Sequence, residues 1–354
     1  MNILHIISNN VWGGGERYAL DLCTALKSEG HCVAVACRKR PAVTEPLRQA
    51  GFEPATMRLG GVLDIFSPVH LSRMVRRFPG KGCVNIHVHN FRDAALAMKV
   101  RRLCQGQREV RVVCTRHLVK PGKSSQLPLY RALDRLVFVS ERARREFLKG
   151  GFPAEGIKME VICNALPDPG LPMADPAVRP PLLLYIGRLS PEKGADVLVE
   201  ALARISDLDW RARICGEGEG RYVMPLLREC RVCGLDKRIE WPGHISDVTE
   251  EIAAAQIGVV PTKAPEAFGL SIIEMMRQGL PVISSDNGAQ PEIITSGRDG
   301  LLMPPCDAET LANALRQLIG DSDMRCKIGK AGRDRFADSY TYPAFYNAIS
   351  RIYE

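Results

Sequence analysis

The chain has 354 residues, 45% hydrophobic and 25% charged, with 31 Gly and 24 Pro, an ordinary soluble globular balance that excludes a disordered or collagen-like protein. At this length two domains of roughly 150 to 200 residues each are expected. The net charge of +8 is unevenly spread: residues 1–170 hold 27 Lys/Arg against 14 Asp/Glu, and the remainder 21 against 26. A basic first half suits an anionic partner, which leaves nucleic acid, an anionic membrane surface and phosphorylated substrates in play.

No apolar run approaches the roughly 20 residues of a bilayer span, and the opening MNILHIISNN lacks the features of a secretory leader, so a cytoplasmic protein is expected. Most of the twelve cysteines sit singly in apolar segments (Cys23, Cys32, Cys114, Cys163, Cys215), as small hydrophobes would. Cys230 and Cys233 form one CxxC without a second pair, which disfavours a zinc or redox role.

In chain order, residues 2–8 read as a buried strand. A glycine turn (Gly13, Gly14, Gly15) follows, and then a helix whose Tyr18, Leu22 and Leu26 share one face. Gly30 stops it, and HCVAVAC is the next strand. The alternation continues through the strand CVNIHVHN, the helix DAALAMKVRRL, the strands VRVVCT and RLVFVS, the helix ERARREFLKGG and the strand MEVICN. Six prolines between 167 and 181 mark a linker. Beyond it the pattern restarts with LLLYIG, the helix ADVLVEALARI, the strands RARICG, RIEWPG and IGVVPT, the helix SIIEMMRQG, and the strands LPVISS and GLLMP. Strands alternating with helices mean parallel sheets covered on both faces. The expected α/β architecture is therefore two Rossmann-like doubly wound domains facing a central cleft: 1–166, a linker 167–181, 182–335, and a closing segment 336–354 that crosses back to the first domain. Ligands bind such sheets beyond the carboxyl ends of their strands.

Two segments carry candidate chemistry. In YIGRLSPEKGADVL, Arg188 and Lys193 flank a loop running from a strand end into a helix, where two cations and a helix N-terminus suit a diphosphate; solvated loop charges are the competing reading. In APEAFGLSIIEMMRQG, Glu266 precedes a helix and Glu274 lies in its first turn. Ser271 and Glu274 fit a capping box that needs no ligand, whereas a carboxylate there also suits the hydroxyls of a ribose. His87 and His89 share one face of a strand, as an edge of an acceptor pocket or as buried structural histidines, with the second favoured. His5 reads as core.

Together these segments resemble the retaining glycosyltransferases of glycosyltransferase family 4, which have the two-domain GT-B fold. The resemblance rests on GGGERYALDL, the histidine ending VVCTRH, LDRLVFVSERARREFL, GRLSPEKG, GEGEG, WPGHISD, the two glutamates with seven residues between them in EAFGLSIIE, QGLPVISSDNGAQPEII and GLLMPP, in order over about 340 residues. It implies transfer of a sugar from a nucleoside diphosphate donor with retention of configuration, UDP favoured over GDP, without a metal or other cofactor. It implies that Arg188 and Lys193 neutralise the leaving diphosphate, that Glu274 holds the ribose, and that Glu266, Phe268, Gly269 and Leu270 meet the donor sugar and phosphates. By the same resemblance Gly13, Gly14, Gly187, Gly216 and Ile245 line the donor site and His117 faces the sugar. Ala267 departs from the more usual glycine, which bears on local turn geometry alone. The implied setting is synthesis of a cell-surface polysaccharide or lipopolysaccharide at the cytoplasmic face, with a glycan or lipid-linked acceptor.

In VHLSRMVRRFPGK, Leu71, Met74, Val75 and Phe78 form one helical face and Arg73, Arg76, Arg77 and Lys81 the other. The competing readings are a peripheral helix on an anionic membrane and, favoured, a surface helix packed on its own sheet. The strings Asp207-Leu-Asp209 and Asp321-Ser-Asp323 look like metal-binding pairs but fall in polar connectors, and they read as surface turns. Rival readings are a non-hydrolysing epimerase or hydrolase of the same fold, and a nucleic-acid-binding protein. Against the latter, no aromatic residues interleave the basic ones, so no nucleic-acid partner is expected.

Overall fold

The computed structural model describes residues 1–60 and 64–354. The chain forms two compact units, Met1–Ala165 together with Tyr342–Glu354, and Leu166–Thr341.

The first unit is built on a parallel sheet of strands β1 (Asn2–Ile7), β2 (Cys32–Arg38), β3 (Ala55–Met57), β4 (Val84–Val88), β5 (Val110–Arg116), β6 (Arg135–Phe138) and β7 (Met159–Val161). They lie in the order β3-β2-β1-β4-β5-β6-β7, so the winding reverses between β1 and β4. Helices α1 (Gly14–Ser28), α2 (Pro41–Gln49), α3 (Phe66–Arg77), α4 (Phe91–Cys104), α5 (Leu127–Ala132) and α6 (Glu141–Leu148) cover it. The strands are apolar at nearly every position because both faces are buried. Leu4, Ile6, Ile86, Val88 and Val112 pack with Leu71 and Val75 of α3 and Ala97 and Val100 of α4. Alternate residues Ile3, Val113 and Val137 meet Tyr18, Leu22 and Leu26 of α1 on the opposite face. Phe345, Ile349, Ile352 and Tyr353, near the chain's end, join that second layer.

The basic helix α3 thus turns its apolar side inward. Leu71 and Val75 are fully buried and Phe78 nearly so, which accords with a helix packed on its own sheet rather than one resting that face on a membrane. What it exposes is its start: Ile65 and Phe66 are 67% and 77% accessible, ahead of the outward Arg73, Arg76 and Arg77.

The second unit has strands β8 (Leu182–Ile186), β9 (Arg211–Cys215), β10 (Ile239–Gly243), β11 (Ile257–Val260), β12 (Val282–Ser285) and β13 (Leu301–Met303), in the order β10-β9-β8-β11-β12-β13. Its helices are α7 (Ala195–Ala203), α8 (Gly220–Val232), α9 (Thr249–Ala254), α10 (Leu270–Arg277), α11 (Gln290–Ile293), α12 (Ala308–Gly320) and α13 (Ser322–Ser339). The last helix, α14 (Tyr342–Tyr353), belongs to the first unit. Two doubly wound parallel-sheet domains are therefore present, as the alternating pattern predicts.

The domain boundaries differ from the sequence reading. The proline-rich stretch 167–181 is part of the second unit and not a free connector, because several of its carbonyls accept side-chain hydrogen bonds from that unit. Arg277 donates to the Pro167 oxygen (3.1 Å), Gln278 to Pro172 (3.2 Å) and Arg325 to Pro176 (2.8 Å). Residues 336–339 finish α13 in the second unit. Both Asp-x-Asp strings are structural: Asp207 accepts from Arg316 (2.7 Å) on the surface, and Asp321 caps α13 through the Met324 N–H (2.8 Å).

Candidate functional site

In the second unit the loops beyond β8, β9, β11 and β12 are locked to one another, and glycine makes the approach possible. The Gly187 N–H donates to the Cys215 oxygen (3.0 Å) and the Leu189 N–H to Glu217 (2.8 Å). A Cβ on Gly216 (φ 153) or Gly218 would sit 1.9 Å from the carbonyl oxygen of Gly187 or Leu189. The GEGEG turn is thus a packing surface for the Arg188 loop, which explains its spacing without a dinucleotide. Gly216 also donates to the Gly243 oxygen (2.8 Å), two residues before the half-buried Ile245.

Tyr185, buried in β8, donates its hydroxyl to the Arg188 carbonyl (3.1 Å). Arg188 itself is exposed. Beside it Pro191, Glu192, Glu217, Arg221 and Tyr222 line an open cavity of about 750 Å³. A 3₁₀ turn, Pro191–Lys193, ends at Gly194 (φ 72), whose Cβ position lies 1.9 Å from the Pro261 oxygen. The N–H groups of Lys263 (2.9 Å) and Ala264 (3.2 Å) both donate to the Glu192 carbonyl. These contacts carry Lys193 against the loop after β11, where its Nζ pairs with Glu266 Oε1 at 2.5 Å. Two residues 73 apart in sequence, each singled out for chemistry, therefore meet where the winding of the sheet reverses between β8 and β11.

Glu266 is held by a loop that sequence reasoning left without a role. Its backbone bridges to Gly288 (φ 74), whose Cβ position is 2.4 Å from both the nitrogen and the oxygen of Glu266. The Ala289 N–H donates to the Glu266 oxygen (3.0 Å), and Asn287 Nδ2 donates to Lys263 (2.8 Å). The Asn-Gly dipeptide was the available signal for so tight a turn. Lys263, which ion-pairs with Asp196, and Glu192 also belong to this shell.

The capping box does not form. Gly269 (φ 133) is the N-cap of α10 and no side chain caps the helix, so Ser271 lies inside the first turn and Glu274 in the second, half-buried. The first N–H groups, Leu270 and Ser271, lack a side-chain cap, which is the setting that favours an anion. Phe268 is buried and packs edge-on against Tyr340 (5.8 Å).

In the first unit Gly13 is the N-cap of α1 in extended backbone, with the buried Glu16 beneath it accepting a hydrogen bond from Asn9. Sequence reading missed this carboxylate, and also Asp93, which is buried in the first turn of α4 and accepts from the Ser8 hydroxyl. Burial raises the Asp93 carboxyl above its ordinary value. His117, just past β5, lies with its ring 4.8 Å from that of Tyr18, and its Nε2 is buried without a partner among the described residues.

His87 and His89 are buried and face inward, which favours the structural reading over an acceptor edge. His87 shares hydrogen bonds with Tyr353 Oη (2.5 Å) through Nδ1 and with Thr115 Oγ1 (2.7 Å) through Nε2. His5 Nδ1 shares one with His89 Nε2 (3.0 Å). These three histidines bring ring nitrogens within 4.8 Å of one another, a grouping that could be tried as a metal centre. The fit is poor: the rings of His87 and His89 stack at 19° rather than converge, and both nitrogens of His87 already hold protein partners.

Burial lowers the imidazole of His5 to about 3 and that of His117 to about 4, and pushes His87 and His89 down as well. The unfolded chain, with ordinary values near 6.5, then binds more protons below that pH, so stability is full above it and falls as pH drops toward 4. Each such histidine should cost about 1.4 kcal/mol per pH unit across this window. Urea unfolding of the first unit followed by Trp12, its sole tryptophan, should show midpoints falling steeply between pH 6.5 and 5; a flat profile would contradict neutral burial.

Comparison with known proteins accords with the two-domain fold. The family model described as "Glycosyltransferase Family 4" matches residues 12–168, and "Glycosyl transferases group 1" matches 175–335. A phosphatidyl-myo-inositol mannosyltransferase of Mycobacterium leprae is 27% identical over 369 residues, covering 98% of this chain and 94% of that one. An exopolysaccharide phosphotransferase of Streptomyces coelicolor is 33% identical over 212 residues, which are 58% of this chain and only 22% of the relative. Among solved structures, Anabaena HepE in complex with UDP and glucose superposes with a TM-score of 0.85 over 99% of this chain and 98% of that one, at 19% identity, a likeness of GT-B fold.

Proposed function

This chain belongs to glycosyltransferase family 4, and from that premise we propose that it moves a sugar from a nucleoside diphosphate, UDP favoured and GDP the alternative, to a glycan or lipid-linked acceptor with retention of configuration. The observation that carries the proposal is the meeting of Lys193 and Glu266 at the β8/β11 switch point, with the exposed Arg188 in the same loop after β8 as Lys193. In the ligand-free protein Glu266 satisfies the Lys193 charge. A diphosphate brings more charge than one carboxylate and draws Lys193 toward itself, freeing Glu266 for the sugar hydroxyls.

The bond between the anomeric carbon and the diphosphate oxygen breaks, and negative charge grows on the leaving group. Arg188, Lys193 and the uncapped start of α10 stabilise that charge in place of a metal ion. The acceptor hydroxyl attacks from the same face and its proton passes to the departing phosphate oxygen, which retains the configuration without a protein nucleophile. Glu274 holds the ribose, the loop at Gly187, Gly216 and Ile245 bounds the nucleotide, and Phe268 to Leu270 supply backbone contacts. In the first unit Gly13 and Gly14 approach the phosphates and His117, neutral at physiological pH, faces the sugar.

No helix among the described residues is long and apolar enough to cross a membrane. We place the enzyme at the cytoplasmic face of the membrane, in synthesis of a surface polysaccharide or lipopolysaccharide. There Ile65 and Phe66 would meet the bilayer while Arg73, Arg76 and Arg77 face anionic lipid. The test is incubation of UDP- and GDP-sugars, with EDTA present, with lipid-linked glycans from bacterial membranes. Formation of an α-linked product from an α-linked donor supports the proposal; an inverted product, or turnover that EDTA abolishes, contradicts it. Binding to anionic vesicles at low salt that exceeds binding to neutral ones by at least tenfold, and that falls in Phe66→Ser, is expected; equal partitioning contradicts the membrane role.

A further inference from the structure

The buried histidine column of the first unit ends, at its inner side, on the last helix of the chain. Tyr353 closes α14 with its hydroxyl on His87 Nδ1, and its carbonyl accepts from Asn85 Nδ2 and Arg111, each at 3.2 Å. On the other side of the His87 ring, Nε2 reaches the hydroxyl of Thr115, two residues before His117. Because side chains alternate along a strand, Thr115 and His117 leave β5 on the same face. The rings make a second connection: His87 stacks on His89 at 4.5 Å, and His89 faces His117 at 6.0 Å.

We infer that Tyr353 is a positioning residue for His117, acting through His87, Thr115 and His89. The inference rests on the proposed role of His117 toward the donor sugar. A helix end seated on a sheet needs only apolar contact, which Phe345, Ile349 and Ile352 already provide. A hydroxyl and two fully buried hydrogen-bonding groups, His87 and Thr115, add orientation instead, since a buried polar network is stable only in the one arrangement that satisfies it. That arrangement fixes the turn where β5 ends and His117 begins. His117 has little else to hold it: among the described residues its Nε2 has no partner, and its nearest ring contact is the Tyr18 edge. The neutral state that burial imposes on all four histidines keeps the column free of mutual repulsion.

Two measurements on the full chain test the link. In protein labelled with 15N-histidine, with the His117 signals assigned from His117→Asn, both Tyr353→Phe and Thr115→Val should displace the His117 ring resonances, and Thr115→Ser should restore them. Slow hydrolysis of UDP-glucose should fall roughly 10- to 100-fold in Tyr353→Phe and in Thr115→Val, the size of a misplacement near 1 Å, with no further loss in the double variant. UDP affinity and unfolding midpoint should stay within twofold and 3 °C of the parent respectively, on the order of what one lost hydrogen bond allows. His117 resonances of Tyr353→Phe that coincide with the parent's would overturn the inference. So would hydrolysis that merely tracks the folded fraction, or stoichiometric Zn²⁺ uptake that breaks the His5–His89 bond. If the parent protein neither hydrolyses nor transfers from any UDP- or GDP-sugar, the proposed function fails while the resonance measurement still decides the link.

Discussion

Lys193→Ala is expected to lower turnover by about 2 to 4 kcal/mol of transition-state stabilisation, as for loss of a charged donor to a developing anion. Its partner should behave differently. Glu266→Gln leaves Lys193 without its ion pair, so affinity for the free nucleoside diphosphate holds or rises while transfer falls, a loss in kcat rather than in donor KM. The two variants together separate the cation that meets the leaving group from the carboxylate that meets the sugar. Equal loss of nucleotide binding in both would mean that the pair is a structural strut between the loops after β8 and β11. Wild-type turnover in Lys193→Ala would remove the residue from the site.

Gly194→Ala carries the second large effect. A methyl group there would lie 1.9 Å from the Pro261 carbonyl oxygen in a backbone region that alanine disfavours. The loops after β8 and β11 would have to separate, and with them Lys193 and Glu266. The expected cost is about 2 to 4 kcal/mol of stability in the second unit, read from urea unfolding of Trp210 and Trp241, with donor affinity falling in parallel. Gly220→Ala is the matched control, since nothing lies within 4 Å of its Cβ position and a helix begins there. It should stay within about 0.5 kcal/mol of the parent. Equal stability of the two variants would show that the loops are not locked as the structure draws them.

Much of this architecture was legible in the chain. The strands are continuous apolar runs because both sheet faces are covered, and their carboxyl ends carry the glycines and charges that mark a site. What stayed hidden depended on contacts distant in sequence. The pairing of Lys193 with Glu266 follows from strand order, which periodicity does not report. The capping-box reading of Ser271 and Glu274 fails because Gly269 starts the helix two residues earlier than that motif needs. Strand β3 has three residues and α8 contains Pro225, so neither gave a clear pattern. The six prolines near 170 signalled the absence of regular structure correctly, but not that Arg277, Gln278 and Arg325 would tie the stretch to the second unit. His87 looked like one of two histidines on a strand face. Only the return of the chain's last helix gives it Tyr353 as a partner.

The central claim, a nucleotide site at the β8/β11 switch point that works without metal, is tested most directly by calorimetric titration. Purified protein would be titrated with UDP and with GDP in the presence of EDTA, and the titration repeated on Glu274→Ala. The account predicts stoichiometric binding of one nucleotide, UDP before GDP, weakened at least tenfold by the substitution. Binding of neither nucleotide, or equal affinity in the parent and in Glu274→Ala, would contradict it.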